Sequence, residues 1–239
     1  MEVKKNNKKY FIGIAVAFGL PLFCYLLVSA LSKNTVHPPK YFVPDSVAVR
    51  VGADGKKTYD TCYHRVADIR LTNQVGESIS LNGDLKGKIL VIDFFFVSCP
   101  TICPHLTANM AKLQKAFRRN KAKEASLDTV VQLVSITVNP MCDSFKRLRE
   151  YADRHGANSD HWWFLTGDKK EIYDFARNQL FVTAVPGDGG PEDFIHTEKM
   201  ILVDRNRHIR GYFNGLDSAD VQKIADDIVL LTLEKDAHH

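Results

Sequence analysis

Apolar residues in this chain occur in three ways: one long unbroken block, short β-branched blocks, and stretches where they return every third or fourth position. The long block, Tyr10 to Leu31, holds 22 residues without a charge, enough to cross a bilayer as a helix. Ile89 to Val97, rich in Val, Ile and Phe and interrupted only by Asp93, is expected to be the central strand of a sheet covered on both faces. Thr129 to Val138 is a second such strand. Between them Leu106, Met110, Leu113 and Phe117 recur at spacings of four, three and four, which predicts a helix with one apolar stripe. A chain that runs strand, helix, strand in this way makes a parallel pair through a helical crossover.

Further along, Phe145 to His155 predicts a short helix with Leu148 and Tyr151 inward, and Trp162 to Leu165 a short strand. Glu171 to Leu180 predicts a helix with Ile172, Phe175, Ala176 and Leu180 on one side. Met200 to Val203 and Ile209 to Phe213 predict two strands about a turn at 204–207, and Ser218, as N-cap, opens a final helix to Leu233 with Val221, Ile224, Ile228 and Leu231 inward. Upstream, the turn residues at 52–55 and 73–76 predict two hairpins. The order is that of an α/β, thioredoxin-like central sheet flanked by helices, with an N-terminal hairpin extension.

What makes the layout specific is chemistry at the first strand-to-helix junction. Cys99-Pro100-Thr101-Ile102-Cys103-Pro104 stands where open α/β sheets place their ligands. Pro104 puts the helix start near it, so Cys103 is expected to meet unpaired N–H groups that lower its thiol pKa. Over this span both sulfurs can face one way, close enough for a disulfide or a single soft metal ion. The plainer alternative is two structural cysteines. A thioredoxin-type reductase carries CxxC and a proline ahead of the strand facing the cysteines; here the spacing is CxxxC and that place holds His196, after a Gly- and Pro-rich loop from Thr183 to Phe194. Two thiolates and one imidazole form a soft, low-coordinate site suited to Cu(I), compatible with Cu(II), and acceptable to Zn with a water.

Composition narrows the setting. The chain has 239 residues, 45% apolar, with a net charge of +4, enough for one domain and an appendage. Four of its positive charges, Lys4, Lys5, Lys8 and Lys9, precede the long apolar block, so the remainder is near neutral and offers no case for nucleic acid. Those lysines are expected to stay in the cytoplasm while the rest is exported. The expected division is a cytoplasmic N-terminus at 1–9, a transmembrane anchor at 10–31, a stiff Pro38-Pro39 linker at 32–45, and a thioredoxin-like copper-binding domain at 46–235. A cleaved signal peptide ending near Ser29-Ala30 is the competing view. Cys24 lies within the block, and the pairing of Cys62 and Cys142 is open. Cys62-Tyr63-His64 is a weak metal clip, and Met141-Cys142 reads as an exposed loop that could assist metal transfer.

With these residues in place the chain resembles the Sco/SenC family of membrane-anchored copper proteins that act in cytochrome c oxidase assembly. The resemblance rests on residues 94–104, on Val138-Asn139-Pro140-Met141-Cys142-Asp143, and on His196-Thr197-Glu198-Lys199-Met200-Ile201-Leu202-Val203-Asp204. It implies copper on Cys99, Cys103 and His196, a redox-active Cys99–Cys103 pair, a location on the outer side of the cytoplasmic membrane, and as partners a copper donor protein and the copper-bearing oxidase subunit. Two positions depart from the family pattern: Ile195 stands where the family usually has Asp before the His, and Asn139 where it has Asp before the Pro. Losing a carboxylate beside His196 bears on the ligand's orientation more than on its identity. The rival functions are an exported thiol-disulfide reductase using Cys99 and Cys103 without metal, and a redox or copper sensor.

Overall fold

The computed structural model describes residues 7–31, 38–51, 57–118, 129–182, 195 and 197–234, with the backbone alone for 7–12 and 29–31. It divides into two units, Met1–His37 and Pro38–His239. In the first, helix α1 (Asn7–Leu31) contains Pro21 and exposes large apolar side chains such as Phe18, Leu22 and Tyr25. Among the described residues no helix is long and apolar enough to cross a membrane. Residues 13–28, the part of α1 with described side chains, rise about 24 Å against a hydrocarbon core of ~30 Å. The anchor expected at 10–31 reaches past them on both sides.

The second unit opens with an antiparallel hairpin, β1 (Pro44–Val51) and β2 (Lys57–Tyr63), in which nearly every residue is exposed. The remaining strands are β3 (Arg70–Asn73), β4 (Ser78–Ser80), β5 (Ile89–Phe95), β6 (Val131–Thr137), β7 (Trp162–Thr166), β8 (Lys199–Val203) and β9 (Ile209–Asn214). They form one seven-stranded sheet in the order β4-β3-β7-β6-β5-β8-β9. β5, β6 and β7 run parallel, while β8 and β3 are antiparallel to the strands they join. Every residue of β5 and β6 is buried, as their unbroken apolar runs require. β5, expected at the centre, is interior but one place off the middle, which β6 occupies.

Alternation along β5 assigns its side chains to two cores, Leu90, Ile92 and Phe94 to one face and Ile89, Val91 and Phe95 to the other. The second face is covered by α2 (Ile102–Arg118), α3 (Phe145–Arg154) and α5 (Ser218–Leu233), through Leu106, Met110, Leu148 and Ile224 among others. The first face is covered by α4 (Lys169–Asp174), which widens into a π-helical turn over Phe175–Gln179 and buries Ile172, Tyr173 and Phe175. The apolar spacing predicted one helix there and did not anticipate the change of pitch. The cap of α5 is Asp217, whose carboxylate accepts from the Ala219 N–H, one residue ahead of the expected Ser218.

Two buried arginines fasten the sheet edge at which β5 begins. Arg207, in the β8–β9 turn with a positive φ of 71°, donates to Asn82 Oδ1 and to the carbonyls of Leu81, Leu85 and Lys88. Arg210 donates to Asp204, to both Glu234 oxygens and to the Pro39 carbonyl, with its guanidinium 4.1 Å from the Tyr41 ring centroid.

Candidate functional site

At the opposite edge β5 ends, and the chain turns through Val97 to Cys99, whose N–H donates to the Phe96 carbonyl at 3.2 Å. α2 starts at Ile102, with Pro104 in its first turn where its missing N–H costs nothing. Cys99 lies just outside the helix and Cys103 just inside it. The N–H of Cys103 donates to Cys99 Sγ at 3.4 Å.

This placement reverses the expectation for the two thiols. Burial pushes Cys99 up, but hydrogen bonds from Cys103, Thr101 and Ile102 more than offset it and bring the thiol down to about 7. Cys103 is packed into the core against the sheet; burial, with the Cys99 sulfur and Asp93 nearby, pushes it up to about 12. Helix-start N–H groups point back along the axis, so they serve the sulfur ahead of the helix and not the one within it. Both thiols are free, as are Cys24, Cys62 and Cys142.

Cys99 and Cys103 line a cavity of about 30 Å³ together with Ile102, Val138, Ile195 and Thr197, room for one ion or one water. His196 lies outside the described residues, as does the loop 183–194. Its chain neighbours Ile195 and Thr197 both border the cavity that holds the sulfurs. Among the described residues no three His, Cys, Asp or Glu side chains converge to hold a metal ion. The Cys62–His64 clip is one such case: Cys62 is exposed, and His64 Nδ1 lies 3.4 Å from Asp45.

Two buried carboxylates lie near the cysteine turn, and one of them supports it. Asp143 Oδ2 accepts from the Val97 N–H at 3.1 Å and from Thr137 Oγ1 at 2.7 Å, tying the turn to the end of β6; among the described residues its Oδ1 has no hydrogen-bond partner, and it lies 3.8 Å from Arg147 Nε. Asp93, fully buried on the α2 side of β5, accepts from Ser135 Oγ, which in turn accepts from Trp162 Nε1. Its Oδ2 has no hydrogen-bond partner among the described residues. Burial drives its carboxyl up to about 7, against a smaller lowering by Ser135. The sign of both roles stood in the sequence, Asp93 as a lone charge in an apolar strand and Asp143 as part of the middle motif. Neither showed which group it would hold.

A sheet of this topology with an acidic, half-buried thiol and a buried one at the carboxyl end of an interior parallel strand defines a thioredoxin-fold dithiol protein. The chain belongs to the SCO1/SenC family, whose model matches residues 60–232. It is 33% identical to the SCO1 protein homolog of Bacillus subtilis over 175 residues, covering 73% of this chain and 86% of that one. Among solved structures it is similar to BsSco, a member of the Sco family of cytochrome c oxidase assembly proteins in which a disulfide switch has been identified, with a TM-score of 0.59 and 29% identity over 72% of this chain and 95% of that one. It also resembles Bradyrhizobium japonicum ScoI with copper bound, with a TM-score of 0.53 and 25% identity over 69% and 98% of the two chains.

Proposed function

We propose that this protein is a membrane-anchored copper metallochaperone that carries copper on Cys99, Cys103 and His196 and assists assembly of the copper centre of cytochrome c oxidase. The observation that carries the reading is the small cavity on which both sulfurs and both chain neighbours of His196 converge. The donor set fits the cargo: two sulfurs and an imidazole suit a soft cation. Cys99, at about 7, is ready to bind near neutral pH, whereas Cys103, at about 12, must give up its proton, so uptake releases protons. Asp143 holds the turn in shape through Val97.

In this reading residues 10–31 anchor the chain in the cytoplasmic membrane, with the N-terminal lysines inside and residues 46–235 on the outer side. The apolar side chains exposed around α1 support it. The partners are a copper donor protein and the copper-bearing oxidase subunit. The test is a Cu(I) titration of the reduced full-length chain against a chelator of known affinity. One equivalent is expected, and Cys99→Ser, Cys103→Ser and His196→Ala should each weaken binding by more than the roughly 10–100-fold that loss of a mere outer partner costs. Unchanged binding in His196→Ala defeats the assignment.

A second reading, thiol-disulfide reductase, is favoured by the asymmetry of the pair: an acidic, partly exposed Cys99 to attack a disulfide and a buried Cys103 to resolve it. The same His196→Ala variant separates the two, because a reductase retains its activity.

A further inference from the structure

We propose that Tyr173 is a positioning residue for this site: its hydroxyl fastens the backbone immediately ahead of His196 to the end of β6, beside the cysteine turn. The inference rests on the copper reading above and adds a residue to it. Tyr173 is fully buried near the end of α4. Its hydroxyl donates to the Val138 carbonyl at 2.8 Å and accepts from the Ile195 N–H at 3.4 Å. Val138 borders the cavity of the two cysteines, and its own N–H donates to the Phe95 carbonyl at 2.8 Å, four residues before Cys99. One hydroxyl thus links the chain that leads into His196 to the strand that leads into Cys99.

The ring itself is held firmly. Lys169 Nζ and the Arg177 guanidinium carbon lie 5.0 and 5.4 Å from its centroid, and α4 widens to π pitch one residue beyond Asp174, a distortion common near functional sites. A phenylalanine would fill the same space. Among the described residues the hydroxyl adds the tie between Ile195 and Val138, both buried, and an outer partner of this kind sets a ligand's approach without touching the metal.

The test is a double-mutant cycle on the full-length chain, Tyr173→Phe against His196→Ala, read as Cu(I) affinity and as the Cu(II) absorption spectrum, each variant's copper-induced rise in melting temperature being referred to its own apo form. The expected result is a 10–100-fold loss of affinity and a shifted spectrum for Tyr173→Phe, and no further change when it is added to His196→Ala. Wild-type affinity in Tyr173→Phe, or an equal loss in both backgrounds, overturns the positioning role alone. His196→Ala binding copper like the wild type overturns the copper reading and this inference together. Amide exchange in the wild-type protein needs no variant: the Ile195 N–H should be protected and become more so with copper, and an unprotected amide sinks the tie.

Discussion

The sheet edge where β5 begins and the edge where it ends both bury charged groups, and they handle them in opposite ways. At the first, Arg207 finds an acceptor for each donor it directs inward, three carbonyls and an amide oxygen, and Arg210 meets two carboxylates and a carbonyl. At the second, Asp93 and Asp143 each keep an oxygen with no hydrogen-bond partner among the described residues, and a thiol sits near neutrality. The satisfied edge holds the fold together; the other gives up stability beside the site proposed to carry copper.

The contrast can be broken by unfolding experiments on the reduced, metal-free chain. Arg207→Met should have the largest effect, a loss of about 4 kcal/mol in urea unfolding, because it leaves two buried and two part-buried acceptors unmet. It should leave Cu(I) affinity nearly unchanged. Asp93→Asn should act in the other direction. With its carboxyl at about 7 in the folded chain and near 3.9 when unfolded, the folded state binds the extra proton between about pH 4 and about pH 7. Wild-type stability therefore falls as pH rises through that window, by up to about 4 kcal/mol. The Asn variant should lack this fall, matching the wild type near pH 4 and exceeding it at pH 8; a wild type with no such slope removes the claim that Asp93 is held protonated. Cys99→Ser should have the smallest effect, within about 1 kcal/mol at pH 6, since Cys99 is only half-buried and a hydroxyl can accept from the same N–H groups. A larger loss would make Cys99 a structural residue.

The legible parts of the molecule are those where one periodicity dominates. The β-branched runs at Ile89 and Thr129 and the stripe from Leu106 to Phe117 are a strand, a strand and a helix, because burial on two faces or on one leaves no other reading. The cysteine turn was legible for the same reason, as a motif placed between two certain elements. The unlike character of its thiols was not: Cys103 seemed the residue at the helix start, yet a one-turn offset gives the N–H groups to Cys99 and the core to Cys103. Arg207 was hidden because an arginine in a turn reads as solvated, and only the folded β3–β5 region supplies its acceptors. The π turn after Tyr173 leaves apolar spacing almost untouched, so no pattern announces it.

The grip of Arg210 on the Pro39 carbonyl and on Glu234 brings the first and last described stretches of the second unit to a single guanidinium. That guanidinium stands at the edge remote from the sulfurs. A pull applied upstream of Pro39 is therefore borne by a buried ion cluster and by β9, instead of peeling away the exposed hairpin or straining the cysteine turn.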